Sequence, residues 1–145
     1  MHGLTQVADI SDLTIDGARR TVNSTQAFNT AKGIFEGKLQ SNSVGPGLGV
    51  THFELMGRVT LLSMITPIDE DSVRVRFNFF HAPDDEIGAK IAVPFSEEVK
   101  RQFEEDMPIW ESKRFVPTPA LAPTERPVTE FRRWASQFYA TPEPV

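Results

Sequence analysis

Cysteine is absent from all 145 residues, which excludes disulfides, thiol catalysis, zinc–thiolate sites and any cysteine-ligated iron–sulfur cluster within this chain. Histidine is scarce, at 3 residues, and no two of them stand four or five apart. Long apolar runs are missing too: nothing approaches the roughly 20 residues of a membrane span, and no signal-peptide core opens the chain at Met1-His2-Gly3. The expectation is a cytoplasmic protein without a membrane partner. Basic charge is in deficit, with 15 Lys and Arg against 20 Asp and Glu and a net charge of −5. That balance argues against nucleic acid as a partner.

What is present fits one globular domain over residues 1–145, with 39% apolar and 24% charged residues. Residues 19–82 read as antiparallel strands. Arg20–Phe28 and Gly33–Leu39 come first, and Ser43–Gly49 reads as a Gly- and Pro-marked loop. Val50–Leu55 and Val59–Thr66 form a hairpin around Met56-Gly57. In Ser72–Phe80 the residues Val73, Val75, Phe77 and Phe79 alternate with Arg74, Arg76 and Asn78, the period-two pattern of a half-buried strand. A helix is expected over 96–113, capped by Ser96 and kinked or ended near Pro108. Seven of the 11 prolines lie at or beyond Pro108, so 116–124 reads as an extended connector. A short helix over Val128–Tyr139 follows, with Phe131, Trp134, Ala135 and Phe138 on its apolar face and Arg132 and Arg133 outward.

Strands followed by a long helix give an α+β class, an antiparallel sheet curved around the long C-terminal helix. On that helix, Val99, Phe103, Met107 and Trp110 recur at helical spacing. At about 100° per residue, Asp106 falls inside this stripe. A carboxylate turned toward a core requires a donor, a cation or a metal. Two readings follow from the pattern: a buried Asp held by an Arg or backbone amides, or a site residue lining a cavity between sheet and helix. Phe53, Phe77, Phe79, Phe103 and Trp110 would form apolar walls for such a cavity as substrate-binding residues, or simply fill the core.

Two stretches together carry a more specific signal: Glu105-Asp-Met-Pro-Ile-Trp-Glu-Ser-Lys113 and, after the connector, Arg132-Arg-Trp-Ala-Ser-Gln-Phe-Tyr139. They resemble the C-terminal part of Rieske-type non-haem iron oxygenases of the steroid and sterol branch, as does Gly47-Leu-Gly-Val-Thr51. The resemblance implies a helix-grip (START-like) catalytic domain holding mononuclear Fe(II) through two histidines and one aspartate. It places Asp106 at the carboxylate ligand. Met1-His2-Gly3-Leu4 resembles the tail of the family's His-x4-His motif, which puts His2 at a second ligand and leaves the first upstream of Met1. His52 and His81 have no family spacing and read as ordinary histidines. The Rieske [2Fe–2S] domain is absent from the chain.

The resemblance thus implies the truncated or split catalytic domain of an oxygenase acting on a steroid-like or other bulky apolar substrate, not competent alone. A Rieske-domain-bearing subunit and a reductase would be its partners, and a homotrimer its assembly. The alternatives are a metal-free helix-grip module binding an apolar ligand, or a structural partner of a full-length oxygenase.

Overall fold

The computed structural model describes residues 9–30, 33–122 and 125–139. Among the described residues six strands in chain order form one antiparallel sheet: β1 (Asp9–Asp16), β2 (Arg19–Thr30), β3 (Gly33–Val44), β4 (Leu48–Glu54), β5 (Arg58–Pro67) and β6 (Val73–Phe80). Each strand pairs only with its sequence neighbours, so the sheet is a meander built from local turns. Two helices follow, α1 (Glu86–Glu111) and α2 (Arg126–Ser136), and the class is α+β as expected. Among the described residues no helix is long and apolar enough to cross a membrane. The chain divides into two compact units, Met1–Glu97 and Glu98–Val145.

In the first unit the expected hairpin is present, with Glu54 opposite Arg58 and Phe53 opposite Val59. The expected loop at Ser43–Gly49 is much shorter than its composition suggests. β3 runs to Val44 and β4 starts at Leu48, because Gly45 takes a φ of +63° and turns the chain within three residues. β1, unanticipated in an Asp-rich segment, pairs with β2 through a register shift between Ile10 and Asp12.

Alternation sorts the sheet into two faces. Phe53, Val59, Leu61, Phe77 and Phe79 share one face, and Val59 is the most enclosed side chain there, at 1% exposure. The first turns of α1 lie against this face. Phe95 meets Phe53 edge-on at 4.7 Å and Phe79 at 6.1 Å.

α1 begins ten residues before the expected cap. Its N-cap is Asp85, whose Oδ1 accepts from the Gly88 N–H at 2.7 Å while Oδ2 accepts from the Arg58 N–H at 2.7 Å. Ser96 instead lies inside the helix, its hydroxyl donating to the Val93 carbonyl at 2.8 Å. Pro94 and Pro108 both lie within the helical span, each forfeiting one ladder bond without ending it.

In the second unit, α2 starts at Arg126, with Pro127 in its first turn where the missing N–H costs nothing. Its expected apolar face is present: Trp134 is 3% exposed and its ring meets Phe131 and Phe138 at 5.6 and 5.2 Å. Arg132 departs from the outward placement expected for it. It is half-buried, donates to the Val116 carbonyl at 2.6 Å and lies 5.0 Å over the Phe115 ring, tying the connector to α2.

Candidate functional site

Asp106 lies on α1 between Phe103 and Trp110, whose rings meet edge-on at 5.0 Å across two helical turns. The helical stripe is therefore real, but the expectation that it encloses the carboxylate is not met. Asp106 is exposed, as are Met107 and Trp110, the latter at 43%. An exposed carboxylate keeps its hydration and avoids the burial cost that called for a partner.

The neighbouring acids behave differently. Arg101 donates to both Glu98 oxygens through Nε and Nη2, at 2.9 and 2.6 Å, and to Glu105 through Nη1 at 2.6 Å. The Arg101 guanidinium, helped by the Gln102 amide, holds the Glu98 carboxyl down at about 2. Lys100 stands 3.9 Å from Glu104. Among the described residues Asp106 has no such cation and no hydrogen-bond donor, so the reading of a structural Asp–Arg pair finds no arginine.

A metal held against water requires several donors; three protein ligands make a facial triad. Among the described residues no group of three or more His, Asp or Glu side chains converges. The described donors therefore do not by themselves fit an iron centre, and Asp106 is at most one ligand of a set. His2 lies outside the described residues. His52 and His81 are exposed; His52 Nδ1 hydrogen-bonds Thr60 Oγ1 at 2.9 Å, and His81 Nδ1 lies 2.9 Å from the Ala82 carbonyl.

Of the five aromatic residues expected to bind substrate, the structure brings Phe53 and Phe79 together through Phe95, with Phe77 on the same sheet face. Phe103 and Trp110 meet each other on α1. Phe95 was not anticipated. It lies directly after Pro94, in a segment whose helical spacing extends back from Val99, and that extension was the available signal.

An open groove of about 640 Å³ over β2 to β5 is lined mainly by polar residues of the opposite face, Asn23, Gln40, His52 and Thr60 among them, and reaches Leu39, Phe53 and Val59. Its side chains close on one another. Gln40 donates to Asn23 at 3.2 Å, His52 pairs with Thr60, and Arg58 lies 3.9 Å from Glu54. This is the pattern of a solvated face.

An antiparallel meander with an aromatic face packed by the first turns of a long helix defines an α+β architecture. Comparison with known proteins makes that specific. The family described as "3-Ketosteroid 9alpha-hydroxylase C-terminal domain" matches residues 8–139, and the chain belongs to that family. The cholesterol 7-desaturase of Caenorhabditis elegans is 31% identical over 109 residues, covering 74% of this chain and 24% of that protein. The cholesterol 7-desaturase nvd of Xenopus laevis is 28% identical over 106 residues, 72% of this chain and 23% of that protein. The oxygenase component of a 3-ketosteroid-9-alpha-monooxygenase from Rhodococcus rhodochrous is 41% identical over 61 residues, 42% of this chain and 16% of that protein. The chain thus spans about a quarter or less of these relatives. No solved structure matches it.

Proposed function

We propose that this chain is the C-terminal catalytic-domain portion of a Rieske-type non-haem iron oxygenase acting on a steroid-like substrate. The family match over residues 8–139 is the observation that carries the reading, since it spans both the sheet and the Asp106 helix. The names of the relatives, a cholesterol desaturase and a ketosteroid monooxygenase component, point to fused-ring apolar substrates. In a helix-grip arrangement the sheet residues Phe53, Phe77 and Phe79 hold the hydrocarbon body and exclude water from it.

Asp106 is the carboxylate ligand in this reading, with His2 a second donor, and an Fe(II) centre would supply oxygen activation when bound. The family match across the Asp106 helix supports this role. In this reading the chain acts with a Rieske-domain-bearing subunit and a reductase in a cytoplasmic, trimeric assembly.

Two measurements on the full chain test the reading: equilibrium dialysis against a labelled steroid, and elemental analysis after anaerobic Fe(II) loading. Steroid binding together with Fe(II) uptake is expected. Steroid binding by protein that takes up no Fe(II) would establish the metal-free binding module instead, and binding of neither would refute the proposal.

A further inference from the structure

The sheet face carrying Phe53 and Phe79 is not uniformly apolar. Strand register places Ser41, Thr51, Leu61 and Phe79 in one cross-strand row and Ser43, Gly49, Ser63 and Phe77 in the next. Four hydroxyls on β3 to β5 therefore lie on the face against which Phe95 packs, and all four residues are half-buried.

Half-buried hydroxyls are stabilised only when hydrogen-bonded. Their bonds here are long: 3.3 Å between Ser41 Oγ and Thr51 Oγ1, and 3.3 Å from Ser63 Oγ to the Gly49 carbonyl. A good O–H···O bond is roughly 2.7–2.8 Å. Ser41 and Thr51 carry two protons and share one bond, so one donor of that pair is left to point elsewhere. Gly49 leaves the strand bare beside Ser63, and a Cβ there would collide with the Ser63 hydroxyl. Several polar groups of the opposite face bond one another, as Gln40 does with Asn23 and His52 with Thr60; this patch retains donors beside an aromatic wall.

We propose that Ser41, Thr51 and Ser63 anchor the oxygen function, a ketone or hydroxyl, of an otherwise apolar fused-ring ligand whose hydrocarbon body lies on Leu61, Phe77 and Phe79. The three hydroxyls span strands about 5 Å apart, a reach of about 10 Å that admits one end of such a ligand. This inference deepens the function proposed above and rests on it.

The test compares two probes, 5α-androstan-3-one and its parent hydrocarbon 5α-androstane, by equilibrium dialysis with the full chain. Wild type is expected to prefer the ketone about tenfold, in line with one or two neutral hydrogen bonds. Thr51→Val combined with Ser63→Ala is expected to reduce that preference to about twofold or less while leaving hydrocarbon binding unchanged. Thr51→Ser, which keeps the hydroxyl, is expected to retain the preference. Should the double variant fail to fold by circular dichroism, Ser63→Ala alone is read the same way. A preference that survives the variants, equal loss of both probes in a folded variant, or equal binding of both probes by wild type overturns this inference alone. Binding of neither probe by wild type overturns the proposed function as well.

Discussion

At Asp85 a single carboxylate accepts from the Gly88 N–H and the Arg58 N–H, joining the start of α1 to the β4–β5 hairpin. Those two donors, Gly88 first, hold its carboxyl below the usual carboxylate range, with the His81 charge a minor contributor. A carboxyl that titrates lower in the folded chain than in the unfolded one stabilises the fold fully above the unfolded value. That stabilisation is lost as pH falls through the folded value. Urea midpoints of wild type and Asp85→Ala are therefore expected to differ at pH 7, with Asp85→Ala lower. The difference should begin to narrow as pH falls below the ordinary carboxylate value of about 4 and close only below the lower value at which the folded carboxyl takes up its proton. Asp106, far along the same helix, accepts from no such donor among the described residues.

At the scale of elements, the crossing of α1 with the hairpin depends on two buried glycines. A Cβ on Gly57 would press on the Gly88 backbone, and one on Gly88 would meet the Arg58 carbonyl at 2.8 Å. Gly57→Ala is expected to cost about 1–3 kcal/mol by overpacking, read as a lower urea midpoint with an unchanged slope. This junction also shows what sequence periodicity could and could not reveal. The hairpin and the alternation of β6 were legible because one face of each strand is apolar. The beginning of α1 was not, because Pro94 reads as a breaker while the Asp85 cap and the Phe95 contacts hold the helix through it. β1 was hidden for a different reason: Asp9, Asp12 and Asp16 disfavour a strand, and only pairing with β2 makes it one.

For the molecule as a whole, the α+β class and the family were legible, the first from periodicity and the second from residues 105–139. Periodicity also placed Asp106 correctly between Phe103 and Trp110, but a helical wheel specifies a direction and not what covers it, so exposure could not be read. The hydroxyl patch was equally hidden, since Ser and Thr in strands read as β-formers until register aligns Ser41, Thr51 and Ser63 on the aromatic face. The proposal that carries most of the account concerns one side chain, Asp106 as a metal ligand. Its most direct test is the Fe(II) dissociation constant of the full chain, measured anaerobically by competition with a weak chelating dye, for wild type and Asp106→Asn. Loss of a carboxylate ligand should weaken Fe(II) binding about tenfold or more with the fold intact by circular dichroism. Equal affinity in the two proteins would contradict it.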